Sequence, residues 1–201
     1  MKYKYITIER EYGSGAREIG RRLSEQTGIP CYGTEILEEA AKRMQMTPAQ
    51  ALELEEKSVG SLLYTIEMLG RSISGSVQHA PETVQLYTVE QQIIRELAAQ
   101  GTGIFIGRCA GHALRDMRDV LRVYIHAEPN MRRDRVIHEY GIPESEADQV
   151  IRDINRRREN YYFANTGHKW TEFRQYNMVL DSSELGLQNC VDLIQAVAYK
   201  D

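Results

Sequence analysis

The chain is poor in the features that mark secreted, membrane or nucleic-acid-coating proteins. It has three cysteines in 201 residues, Cys31, Cys109 and Cys190, widely spaced and odd in number. Such spacing builds neither a disulfide framework nor a cysteine metal site, and it fits a reducing, cytoplasmic setting. No apolar run is long enough to span a bilayer, so no membrane partner is expected. Met1-Lys2-Tyr3-Lys4 opens directly into a strand pattern, so no secretory leader is expected. An excess of positive charge is also missing. The net charge of −4 disfavours nonspecific nucleic-acid binding. His79, His112, His126, His138 and His168 lack metal spacing with cysteines or carboxylates and read as structural or solvent-facing, so no metal ligand is named. Internal repeats, low-complexity blocks and clear linkers are absent. What remains is a chain 42% hydrophobic and 27% charged, enough for one sizeable core.

The apolar pattern predicts strands alternating with helices. Strands are expected at Lys4 to Ile8, Cys31-Tyr32, Ile104 to Ile106, Val120 to Ile125 and Met178 to Leu180. Ile104 to Ile106 does not alternate and reads as fully buried. Helices are expected over Ala16 to Gln26, from Thr34 as a cap, from Thr47-Pro48, and over Glu82 to Gln100. Further helices are expected over Cys109 to Met117, Pro129 to Tyr140, Glu144 to Tyr162 and Leu185 to Tyr199. Ser58 to Pro81, with Gly60, Gly70 and Gly75, reads as loop and mobile helix. This order implies an α/β fold, a parallel sheet flanked by helices.

The first strand turns through Gly13-Ser14-Gly15 into the first helix. Such a turn leaves helix-start amides unpaired, and with the helix dipole these form an anion site. The standard phosphate-loop motif needs Gly, four residues, Gly, Lys, then Ser or Thr. The matching positions here are Arg10, Gly15, Ala16 and Arg17, so the lysine and the hydroxyl are missing. A plain strand-to-helix connection reads the same residues equally well. Arg10 and Arg17 are the candidates to replace the lysine.

Arginines recur later. Arg132 and Arg135, near Arg133, share a helix face, and Arg156, Arg157 and Arg158 lie in the next helix. Two facing arginine helices suit the closure over a polyphosphate, although solvated charged helices look alike. Arg108 follows a buried strand, at the sheet end where α/β proteins bind ligands. Tyr161-Tyr162-Phe163 and Trp170 read as helix-end packing, with base stacking as the sharper alternative.

Taken together, Ile6 to Gly20, Gly28-Ile29-Pro30, Gly107-Arg108-Cys109-Ala110, Val123 to Ala127, Tyr161-Tyr162, Thr166-Gly167 and Trp170 resemble the cytidylate kinase-like branch of the P-loop nucleoside monophosphate kinases. The resemblance covers nearly the whole chain. It implies one P-loop kinase-like domain over 1–201, with a helical acceptor-side insertion about 34–100 and an arginine-bearing lid about 129–163. It implies phosphoryl transfer from ATP, with Mg2+, to a nucleotide such as CMP or another small acceptor. By the same resemblance, Arg10, Gly13, Ser14, Gly15, Ala16, Arg17 and Glu18 form the phosphate loop. Arg108 matches the acceptor-side arginine, Arg132 and Arg135 match the lid pair that closes over the transferred group, and Arg157 and Arg158 lie near the second lid cluster; Arg17 joins them as the reading's substitute for the lysine. The family's lysine falls on Ala16 and its hydroxyl residue on Glu18; Cys109 stands where true cytidylate kinases have an acid, and Gly33 where related chains often have Asp.

Three readings follow from the sequence. The first is a cytoplasmic kinase binding a nucleotide or related phosphorylated ligand. The second is a binding protein that kept the fold and lost the chemistry. The third is a structural module using Ser58 to Gln100 as a homodimer surface.

Overall fold

A computed structural model describes residues 2–57 and 81–199. Five strands form one sheet: β1 (Tyr5–Arg10), β2 (Cys31–Tyr32), β3 (Gly103–Ile106), β4 (Val120–His126) and β5 (Met178–Asp181). Their order is β2-β3-β1-β4-β5, and all neighbours pair in parallel. The four longer strands therefore lie where the apolar pattern puts them; β3, β4 and β5 each gain one residue, and β1 starts at Tyr5 instead of Lys4 and runs two residues further. β1 is central. Ile6 pairs in register with Ile104 on one side and Leu121 on the other.

Alternation along β1 sends its side chains to two different cores. Ile6 and Ile8 face α1 (Ala16–Thr27), whose buried Ile19 and Leu23 share one helix face, and the last helix, which contributes Val191 and Ile194. Tyr5 packs on the opposite side. There Phe105 shares a core with α2 (Thr34–Arg43), α3 (Pro48–Lys57) and α4 (Glu82–Gln100), which contribute Ile36 and Leu37, Ala51, and Ile93 and Ile94 in turn. Thr47 opens α3 as a reciprocal cap: its hydroxyl accepts from the Gln50 amide, and its own amide donates to the Gln50 side chain.

After β3 come α5 (Ala110–Ala113), then β4, α6 (Pro129–His138) and α7 (Glu144–Thr166). A small cluster of Val136, Ala147 and Ile151 joins α6 to α7 and packs against Tyr12. This contact seats the helical hairpin on the β1–α1 turn. α8 (Ser182–Leu185) and α9 (Leu187–Tyr199) complete the chain.

Several local expectations need correction. Thr34 is the first residue of α2 and not its cap; Gly33 holds that position, and its amide donates to the Glu35 carboxylate. The Cys109 to Met117 helix shrinks to Ala110–Ala113, because Cys109 adopts a left-handed conformation and Leu114 leaves helical geometry. The closing helix breaks at Gly186, whose φ of 76° ends α8. Tyr162 and Trp170 are buried with Tyr87, Cys109 and Tyr124, so packing is their role. The loop expected at Ser58 to Pro81 lies outside the described residues, apart from Pro81.

Candidate functional site

β1 ends at Arg10 and the chain turns through Glu11 to Gly15 into α1. Gly13 and Gly15 have φ of 81° and 77°. Glycine is needed there for space as well as conformation. A Cβ at Gly13 would sit 2.8 Å from the Arg132 carbonyl oxygen, and one at Gly15 2.6 Å from Leu187 Cδ2. α1 starts without a side-chain cap. Among the described residues, the amides of Gly13, Gly15, Ala16 and Arg17 carry no hydrogen bond.

The carbonyls of the same turn are engaged. Arg135 Nη1 donates to Gly13 O (2.7 Å), Ser182 Oγ to Ser14 O (2.7 Å), and Arg158 Nη1 to Arg10 O (3.1 Å). Ser14 Oγ donates to Glu11 O, and the Tyr12 amide donates to Asn155 Oδ1. With acceptors tied down and donors left over, the turn attracts anions.

These amides line a cleft of about 770 Å³ at the carboxyl ends of β1 and β3. Five arginines line it too: Arg10, Arg17, Arg21, Arg108 and Arg158, of which Arg21 is paired with Glu18 and Glu25. Their states differ. Arg17 is exposed and makes no ion pair among the described residues. Arg10 lies 3.6 Å from the Glu9 carboxylate. Burial pushes the Arg10 guanidinium below its ordinary pKa, Glu9 opposes this, and the Arg108 and Arg17 charges add to it. Arg158 is held well below its ordinary value by burial and by Arg10. Its contacts are the Arg10 carbonyl and the Tyr12 ring, 5.4 Å away. Glu9 opposes this shift without forming an ion pair with Arg158, and a half-buried guanidinium short of direct counter-charge, beside other arginines, is relieved by a bound anion.

Arg108 is already compensated. Its guanidinium lies 3.1 Å from Glu55 and 3.3 Å from Glu90. Burial works against its charge, but the two carboxylates outweigh that and raise its pKa. Burial pushes Glu90 well above the usual carboxylate range, and Glu55 adds to this. Tyr161 donates its hydroxyl to Glu90. The backbone here is unusual. Gly107, Arg108 and Cys109 have φ of 72°, 56° and 53° in succession. A Cβ at Gly107 would lie 2.1 Å from Arg10 Nη1, so its absence makes room for the Arg10 guanidinium. Left-handed non-glycine residues are strained and cluster at functional sites.

Of the remaining candidates, Arg132, Arg135, Glu18 and Ser14 lie around this cleft rather than in it, and Ala16 meets it by its backbone. Arg132 reaches Ala127 O and the Glu11 carboxylate, and Arg135 reaches Gly13 O. Both hold the turn from behind. Glu18 binds Arg21 and Arg22 along α1, and those bonds bring its carboxyl down to about 2. Ala16 is buried in the core. Ser14 is fully buried with its hydroxyl on the turn's own carbonyl.

Sequence reading passed over Asn155, Ser182, Glu55 and Glu90. Asn155 and Ser182 reach the turn from distant segments and carry no local signal. Glu90 did carry one, as an acid beside the apolar positions Val89, Ile93 and Ile94. Among the described residues no three His, Cys, Asp or Glu side chains gather as a metal site, and no helix is long and apolar enough to cross a membrane.

Residues 5–184 match the Cytidylate kinase-like family. No curated protein matches the sequence. Among solved structures, an uncharacterized protein from Eubacterium ventriosum ATCC 27560 superposes with a TM-score of 0.73 at 20% identity, over 98% of this chain and 99% of that one. TT1252 from Thermus thermophilus gives 0.56 at 14% identity, over all of both chains. Shikimate kinase from Acinetobacter baumannii, solved with shikimate, gives 0.52 at 13% identity, over 97% and 92%. At these identities the likenesses concern the fold.

Proposed function

The chain belongs to the cytidylate kinase-like family, and from that premise we propose that it binds ATP by its phosphates and transfers a phosphoryl group to a nucleotide or other small anionic acceptor. The observation that carries this reading is the set of unpaired amides of Gly13, Gly15, Ala16 and Arg17, residues that line the same cleft as Arg10 and Arg158. The donor's phosphates fit these amides, and Arg17 and Arg10 take the place of the lysine that Ala16 does not supply. Arg158 neutralises charge on the transferred group, and Arg108 orients the acceptor from its seat on Glu55 and Glu90. Arg132 and Arg135 act through the turn they hold. Phosphoryl transfer depends on such positioning and electrostatics more than on covalent help from the protein.

Magnesium bound with ATP would supply further charge neutralisation, and Mg2+ commonly keeps its waters and takes substrate phosphates. No side chain of this cleft is assigned to it. The helical segment about 34–100 serves the acceptor side in this reading, and about 129–163 serves as the arginine-bearing lid.

A second reading, binding without transfer, has its own support. Ala16 is buried, Glu18 is tied to two arginines, and neither the lysine nor the hydroxyl has a counterpart at its position. Single-turnover transfer from ATP to a panel of nucleoside monophosphates and small acceptors separates the two. Arg17→Ala should lower turnover ~100-fold or more. Arg133→Ala should change it little, because Arg133 lies outside the cleft on Glu144 and Asp148. Equal rates in parent and both variants would remove Arg17 from the mechanism. ATP binding with no transfer to any acceptor would favour the second reading.

A further inference from the structure

We propose that Tyr140 is the stacking platform for the planar base of the nucleotide whose phosphates lie on the Gly13–Arg17 amides. The inference rests on the phosphate reading above and adds a residue that recognises the rest of the ligand.

Tyr140 lies between α6 and α7 and lines the same cleft as the amides. It keeps 41% of its surface exposed, although it is large and aromatic. The core of the α6–α7 hairpin does not use it; that core is Val136, Ala147 and Ile151, packed with Tyr12, Ile137 and Ile142. A lone exposed aromatic is ordinary on a protein surface. This one is braced. Its ring lies 5.4 Å from the Tyr12 ring at an interplanar angle of 58°. Tyr12 is in turn fixed by the hydrogen bond from its amide to Asn155 Oδ1 and by Arg158 over its ring.

The backbone ties Tyr140 to the phosphate turn as well. Its amide donates to Arg135 O, and Arg135 donates to Gly13 O. Burial raises the Tyr140 phenol above its ordinary pKa, and the Arg135 and Arg17 charges oppose that. The ring and Arg17 line the same cleft. A cleft of about 770 Å³ holds more than phosphate groups alone. A braced tyrosine loses little rotamer freedom on binding, and its π-face accepts any base. The ligand class is accordingly a nucleoside polyphosphate with weak base discrimination.

Calorimetry on the full chain tests this with two probes, ATP and inorganic tripolyphosphate, in one magnesium-containing buffer. Tripolyphosphate carries the anionic part without a base. The parent should bind ATP about 5- to 100-fold more tightly than tripolyphosphate. Tyr140→Ala should erase that preference and leave tripolyphosphate affinity unchanged. Tyr140→Phe should retain it. A parent that binds both probes equally, or an alanine variant that keeps the preference, would overturn the proposal while the phosphate site stands. Equal loss of both probes in Tyr140→Ala would show a support role through Arg135 instead. Failure of the parent to bind either probe would overturn the phosphate reading and this inference with it.

Discussion

Two turns lie side by side at the carboxyl ends of β1 and β3, and they are built in opposite ways. In the turn after β1 the left-handed positions are glycines, and the carbonyls are bonded by Arg135, Arg158 and Ser182. The amides of Gly13 and Gly15, with those of Ala16 and Arg17 at the start of α1, are left over. In the turn after β3 a glycine is followed by two left-handed non-glycine residues, Arg108 and Cys109. Its functional group is a side chain, and Glu55 and Glu90 already compensate that charge. The first turn offers uncompensated donors to a ligand. The second holds a cation in place at the cost of local strain. An arginine count would treat Arg108 and Arg158 alike, yet only Arg158 is short of counter-charge.

The sharpest way to break this comparison is to remove one arginine from each set. Arg108→Ala leaves two buried carboxylates without their cation. It should destabilise the fold by about 3–5 kcal/mol, read by urea unfolding. Arg158→Ala removes one carbonyl hydrogen bond and should cost about 1 kcal/mol, while weakening tripolyphosphate binding about tenfold or more. Comparable stability losses in the two variants would mean the contrast in compensation is not real.

A smaller effect separates the glycines. Gly13→Ala meets backbone at 2.8 Å in a left-handed conformation and should cost about 2–4 kcal/mol along with anion binding. Gly107→Ala meets the end of the Arg10 side chain, which can move aside. It should cost about 1–2 kcal/mol for the backbone conformation and displace Arg10 from the cleft. Melting curves on both variants check the order.

Much of the framework was legible in the sequence because it depends on local pattern. A continuous apolar run marked β3, a largely apolar one broken by Arg122 marked β4, and the glycine turn after β1 marked the unpaired amides at the start of α1. Arg108 was placed in the crevice from its position after a buried strand, and it lies there. The hairpin arginines were harder. Helical spacing put Arg132 and Arg135 on one face, and they do share it, but spacing carries no information about what that face meets. They meet the back of the turn after β1, at Gly13 O and the Glu11 carboxylate. Tyr140 read only as the end of a helix, since its bracing by Tyr12 comes from a residue far away in the chain. The compensation of Arg108 was invisible for the same reason: its carboxylates come from α3 and α4.

The most direct test of the central claim is an amide NMR titration of the full chain with inorganic tripolyphosphate. The largest shifts should fall on the backbone amides of Gly13, Gly15, Ala16 and Arg17, with smaller changes at Gly107 to Cys109. Saturable binding with the Gly13 to Arg17 amides unmoved, or with the largest shifts at Arg108 and Cys109, would contradict it.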